Sequence, residues 1–243
     1  MHQVKLYENV VIGNFLYGLG STVRAKSKSD IVASSVNLLQ QTPADKELAD
    51  VLLEFPGVVR LIEFKQSNNN SIKEKTKLEH LKAMIGVNER LTNISKSIHW
   101  FVEITPKNKT FVSRIVPYLY LEDDLQNENQ YKLEEFIEDI AEEAINAKNL
   151  FKRDELRYYL QLVKKINNKD TNSTSGILLS INSEGKLFFI ELTDMLQLRL
   201  LDRDYIKNVE LRYERENTLN REYSQQQELD RSNRYRNKPD LSL

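Results

Sequence analysis

The sequence predicts an α/β protein: a mixed sheet flanked by helices, with a C-terminal extension made of helices and a hairpin. Three observations predict it. Apolar runs bounded by turn residues recur as strands, notably ADVLLEF (49–55) and VVRLIEFKQ (58–66) across Pro56-Gly57. Segments with apolar residues at helical spacing lie on both sides of them. Their order is helix, strand, strand, strand, helix, strand, strand, which suits an α/β core with helices available for both faces.

The first helix is KLYENVVIGNFLYGL (5–19), ended by Gly20. Glu8, Ile12, Phe15 and Leu19 fall on one stripe of it, which places a carboxylate on an apolar face that wants a partner. IVASSVNLLQQ (31–41) is ambiguous, and its β-branched content favours a strand near Ser35 to Gln40. After the 49–66 hairpin, the loop SNNNS leads into a helix from Ile72 to Ile85, ending at Gly86. SIHWFVEI (97–104) and TFVSRIVPYLYL (110–121) read as a second strand pair.

The second half has KLEEFIEDIAEEAINAKNL, with Leu133, Phe136, Ile137, Ile140, Ala141, Ala144 and Ile145 on one stripe. DELRYYLQLVKKI is a further helix, and GILLSINSEGKLFFIEL a hairpin turning at Asn-Ser-Glu-Gly. A last helix is expected to start near Asp194 and to run into a tail too poor in apolar residues to build a core. The expected organisation is a core over 1–125, an extension over 126–210 that packs on it, and a charged, flexible tail over 211–243.

At 243 residues the chain can bury a proper core. It has no cysteine, which excludes disulfide frameworks, thiolate metal sites and cysteine nucleophiles. VVIGNFLYGLG is interrupted by Asn14 and lacks the marks of a signal peptide, and no apolar run approaches the length of a membrane span. A cytoplasmic protein without a membrane partner is expected.

The net charge of -1 hides segregation. From Arg60 to Lys109 the positive residues outnumber the negative by five, a surface suited to phosphates. From Glu122 to Glu143 ten acids oppose Lys132 alone. That part reads as a solvent-facing helix or a dock for a basic partner.

If Pro56-Gly57 is a two-residue loop, Phe55 faces Val58, Leu53 faces Arg60 and Asp50 lies across from Glu63. Side chains alternate along a strand, so Asp50, Leu52 and Glu54 share a face with Val59, Leu61, Glu63 and Lys65. Carboxylates opposed across a strand pair repel, so a cation belongs between them. Lys65 supplies one charge, and the negative charge left over suits a hard ion, Mg²⁺ or Mn²⁺, bound by oxygen donors. L-Pro-Gly favours turn types other than those of the tightest hairpins, so a one-residue shift in this register stays open.

These residues resemble the PD-(D/E)XK nucleases, the superfamily with the restriction-endonuclease-like fold. The likeness rests on Asp50 at the start of one strand, Glu63-Phe64-Lys65 as the E-x-K of the next, Glu8 on the preceding helix, and the element order α-β-β-β-α-β. Gln66 after the lysine is similar to members that carry glutamine there. The literal Pro-Asp pair does not occur; Pro43-Ala44-Asp45 precedes the strand, and Asp45 is the second candidate for that ligand. The resemblance implies that Glu8, Asp50 and Glu63 hold Mg²⁺ or Mn²⁺ and that Lys65 orients or activates the attacking water. It implies phosphodiester hydrolysis, of DNA rather than RNA, in a restriction or anti-phage defence setting, with a homodimer or a protein partner bound through the C-terminal half.

Each feature also has an ordinary alternative. Asp50, Glu63 and Lys65 can be a solvated face with a salt bridge, and Glu8 a helix-surface residue. His2, His80 and His99 show no metal-ligand spacing; His80 suits a helix surface and His99 beside Trp100 a packed strand residue, and the alternative for either is to line the site. The lysines of SIKEKTKLEHL suit a solvated helix face, and their place directly after the E-x-K strand also suits phosphate contact. The Tyr- and Arg-bearing tail suits a mixed-charge segment before a nucleic-acid arm. A non-catalytic adaptor that keeps the fold and acts through its acidic helix and tail is the competing function.

Overall fold

The computed structural model describes residues 7–27, 32, 34–38, 49–55, 58–66, 72–107, 110–122, 131–146, 150–166, 176–181 and 187–192, with 215, 218–219 and 221–227 near the C-terminus. The chain divides into two compact units, Met1–Leu201 and Asp202–Leu243. In the second, residues 221–227 are helical and exposed. The expected boundary at 211 falls inside that unit, and the expected helix start near Asp194 and the 182–185 turn lie outside the described residues.

The first unit is α/β. A seven-stranded mixed sheet runs in the order β5-β4-β3-β2-β1-β6-β7, with β1 at Ser34–Leu38, β2 at Val51–Phe55, β3 at Val58–Gln66, β4 at His99–Lys107, β5 at Thr110–Pro117, β6 at Gly176–Ile181 and β7 at Leu187–Leu192. Only β3 and β4 pair in parallel, joined by a crossover through two helices, α2 (Ile72–Ile85) and α3 (Glu89–Ile98); the other neighbours are antiparallel. The hairpin of the extension is continuous with the core, because β6 pairs with β1.

The register of β2 and β3 is that of a two-residue connection: Phe55 pairs with Val58, Leu53 with Arg60 and Val51 with Ile62. Alternation then sorts the side chains. Val51, Leu53, Phe55, Ile62 and Phe64 enter one apolar layer with Ile12, Phe15, Leu19 and Val23 of α1 (Glu8–Lys26) and Phe136, Ile140 and Ala144 of α4 (Leu133–Asn146). α1 and α4 approach closely at Gly18, where a Cβ would meet Ile137 Cδ1 at 3.3 Å. The opposite face carries Leu52, Glu54, Leu61, Glu63 and Lys65 and is covered by α3 and α5 (Arg153–Ile166), with α2 alongside.

α2 ends where the sequence puts it, with Gly86 at φ 55°, a left-handed conformation that glycine adopts without strain. α3 is absent from the sequence reading, which starts a strand at Ser97. Asn88 caps it, its side chain accepting from Leu91 N–H at 3.0 Å, and Leu91, Ile94, Ser95 and Ile98 form its buried stripe. Strand β5 stops at Pro117 and not at Leu121, because Tyr118–Tyr120 curl into a 3-10 turn. Proline is tolerated there because β5 is the edge strand.

Candidate functional site

Asp50 precedes β2, one step beyond the pair Val51 and Ile62, so the register carries it across from Glu63. Its Oδ2 accepts the Phe64 backbone N–H at 2.6 Å. A carboxylate thus replaces the ladder at the open end of the hairpin and ties Asp50 to β3. Glu63 and Lys65 project from the same face, and Lys65 Nζ lies 2.5 Å from Glu63 Oε1. Asp50 and Glu63 are buried, and the Lys65 side chain is only 16% exposed. The reading of these three as a solvated face is therefore corrected, and Glu63 faces residues of α2 and α5.

The parallel strand widens the site. Pairing of Leu61 with His99 and of Glu63 with Phe101 sets His99 on the face of Glu63. Here Glu63, Lys77, His99 and Tyr118 line a small pocket whose apolar wall is Leu81, Val163 and Ile166. His99 stacks flat on Tyr118, ring centroids 4.3 Å apart, and its Nδ1 shares a hydrogen bond with Tyr159 Oη at 2.9 Å. Tyr159 Oη in turn shares one with Ser95 Oγ at 2.7 Å. Tyr118 O–H donates to Glu74 Oε2 at 2.7 Å, and Lys77 Nζ stands 3.3 Å from Glu74 Oε1.

Burial governs the proton affinities. It pushes the Glu63 carboxyl up against the opposing pull of Lys65 and Lys77. Burial alone would lower Lys65, but the charges of Glu63 and Asp50 outweigh it and hold the ammonium above its ordinary value. His99 is pushed down to about 3 by burial, with Lys77 adding to the effect, so its imidazole is neutral at physiological pH. Burial raises the Tyr118 and Tyr159 hydroxyls, which stay protonated. On the same sheet face Glu54 is buried and pushed up to about 7 by desolvation, with Arg153 and Arg157 pulling the other way. Its Oε2 has no hydrogen-bond partner among the described residues.

The structure brings together Asp50, Glu63 and Lys65 of the expected site. It does not bring Glu8 to them. Glu8 occupies the first turn of α1, and the stripe that follows it packs into the apolar layer with Phe64, on the other side of the sheet from Glu63. Among the described residues no three His, Cys, Asp or Glu side chains form a group that could hold a metal ion. Asp45 and His2 lie outside the described residues, as does the side chain of Gln66.

The sequence reading missed Glu74, Tyr118 and Tyr159, and it reached Lys77 only as one of the lysines of 71–81 whose place after the E-x-K strand suits phosphate contact. For Glu74 a signal was present: Glu74, Leu78, Leu81 and Ile85 repeat the spacing of Glu8, Ile12, Phe15 and Leu19, and all four are buried. The lysines between them obscured it. Elsewhere the acidic helix α4 directs two of its carboxylates to basic residues of the same unit, Glu143 to Arg60 at 2.6 Å and Glu142 to Lys26 at 2.7 Å.

Comparison with protein-family models, with curated proteins and with solved structures gave no match. No helix among the described residues is long and apolar enough to cross a membrane.

Proposed function

We propose that the protein is a metal-dependent nuclease that hydrolyses phosphodiester bonds, with Asp50, Glu63 and Lys65 at its centre. The observation that carries this reading is the convergence of two buried carboxylates and a largely covered lysine at the open end of the β2–β3 hairpin. Glu74 and Lys77 stand alongside. A desolvated carboxyl of raised proton affinity that lines a pocket, as Glu63 does, is a candidate functional group.

A hard divalent ion fits this donor set. Mg²⁺ keeps several waters and is held through one or two carboxylates together with substrate phosphates, so Asp50 and Glu63 suffice as protein ligands. When bound, such an ion lowers the pKa of water and neutralises charge that develops on the phosphoryl group. Lys65 places its ammonium beside Glu63, where it complements the same charge. Asp50 is fixed by the Phe64 N–H, and Glu63 by Lys65, so neither carboxylate must be reoriented when substrate arrives. The basic excess from Arg60 to Lys109 supports contact with flanking phosphates. DNA as the preferred substrate, and a defence setting, extend the proposal through the resemblance to the PD-(D/E)XK nucleases.

The test is cleavage of plasmid, linear duplex, single-stranded DNA and RNA with Mg²⁺ or Mn²⁺, comparing the natural chain with Asp50→Ala and Lys65→Ala. Loss of cleavage by roughly a hundredfold or more in both variants, with melting still cooperative, is expected. Cleavage that survives both substitutions would place the site elsewhere, and an inert natural chain would favour the adaptor reading.

A further inference from the structure

We propose that Lys77 is a further substrate-binding residue of this site, held by Glu74 and Tyr118 so that its ammonium receives a phosphate oxygen beside Glu63. The proposal rests on the phosphodiester reading above and deepens it. Three observations converge on Lys77. It lines the pocket that Glu63 and His99 also line. Its side chain is 28% exposed, so the head is partly desolvated yet open to an incoming group. Among the site residues it is the cation that approaches from a helix, whereas Lys65 stands on the strand beneath.

The support behind it is specific. A lysine has four rotatable bonds and is a poor positioning group unless something holds it. Glu74 does so from one turn earlier on α2, at 3.3 Å. Glu74 is itself buried and fixed by the Tyr118 hydroxyl at 2.7 Å, and Tyr118 is fixed by its flat stack on His99. An ammonium has three donors, and the contact with Glu74 uses one. A phosphate oxygen arriving in the pocket meets a preoriented cation whose hydration is already reduced, where a charge-assisted hydrogen bond is strong. Tyr118 and Glu74 are positioning residues in this arrangement. Lys77 is the group that touches substrate.

Binding and turnover separate this proposal from the reading it rests on. Fluorescein-labelled duplex DNA, its single strand and an RNA strand are titrated by anisotropy without divalent ion over a series of NaCl concentrations, for the natural chain, Lys77→Met, Lys77→Arg and Glu74→Gln. The Met variant keeps the apolar stem and removes the charge. It is expected to bind the preferred strand about tenfold more weakly at low salt, with the slope of log K against log salt reduced by about one. Lys77→Arg is expected to restore most of the affinity, and Glu74→Gln to weaken it less than Lys77→Met. In steady-state cleavage KM should rise more than kcat falls. Equal affinity and equal salt slope in Lys77→Met overturns the role of Lys77 even if Asp50→Ala abolishes cleavage. If the natural chain neither binds nor cleaves any of the strands, the nuclease reading falls and this assignment falls with it.

Discussion

The two faces of one sheet are built to opposite rules. Toward α1 and α4 the layer is aromatic and aliphatic, with Phe15 in ring contact with both Phe64 and Phe136. Arg60 is its polar intruder, and it leaves toward Glu143. Toward α2, α3 and α5 the sheet buries Asp50, Glu54, Glu63 and His99, and the helices add Glu74, Ser95 and Tyr159. Apolar burial is worth stability in proportion to area, whereas burying a carboxylate costs free energy unless something compensates it. The contrast teaches that the first face holds the fold together and the second spends stability to keep ionisable groups dry and close.

The largest test of that contrast is on the apolar face. Phe15→Ala empties a fully buried site between Phe64 and Phe136 and is expected to lower unfolding stability by about 3–5 kcal/mol in urea titrations, by a similar amount at pH 5 and pH 8. A loss under 1 kcal/mol would mean that this layer is not the core.

On the polar face the effects should depend on pH. Glu54 is an acid raised from 4.5 to about 7, so its contribution to stability is full below its unfolded value of 4.5 and is lost as pH rises through 7. Glu54→Gln removes that dependence, and its stability relative to the natural chain should improve by about 3 kcal/mol between pH 4 and pH 9. A relative stability that stays flat across that range would show that the carboxylate is solvated or paired.

His99 acts with the opposite sign. Its folded value is depressed to about 3, so its contribution is present above the unfolded value of 6.5 and is lost as pH falls toward 3. Denaturation at pH 5 and pH 8 should show His99→Phe recovering about 2 kcal/mol at pH 5 relative to its own deficit at pH 8. Equal deficits at the two values would place the imidazole in contact with water.

The smallest effect is expected at the surface. Lys26→Ala breaks the 2.7 Å pair with Glu142, whose side chains are 33% and 58% exposed, and should leave the urea midpoint almost unchanged, the more so in high salt. A clear fall in the midpoint would make the α1–α4 junction electrostatic as well as apolar.

Much of this was legible in the chain itself. The strands at 51–55 and 58–66, their pairing across Pro56-Gly57, the helix from Ile72 to Ile85 and the stripe of α4 follow from periodicity and turn residues, which are local properties. So does the shared face of Glu54, Glu63 and Lys65, because alternation along a strand is fixed by the pleat. Helix α3 carries a local signature as well, the spacing of Leu91, Ile94 and Ile98 after Asn88, and its last turn overlaps the strand expected from Ser97.

Tertiary structure decided which carboxylates meet. Glu8 and Glu74 stand at the same place in the same 0, 4, 7, 11 pattern, each at the head of an apolar stripe. Nothing local says which stripe will lie on which side of the sheet. The crossover between the parallel strands β3 and β4 puts α2 beside the face of Glu63, while α1 joins α4 over Phe64. Asp50 likewise turns to the Phe64 backbone because β2 begins only one residue after it and leaves that N–H to be satisfied. The sequence by itself determined most of the elements and the nearness of Asp50, Glu63 and Lys65, whereas helix α3 and the exact hairpin register were fixed only in the fold. The sides on which the helices pack, and with them the recruitment of Glu74, Lys77, His99 and Tyr118, were set by long-range packing, where chain connectivity and the need to cover both faces of the sheet outweigh any local preference.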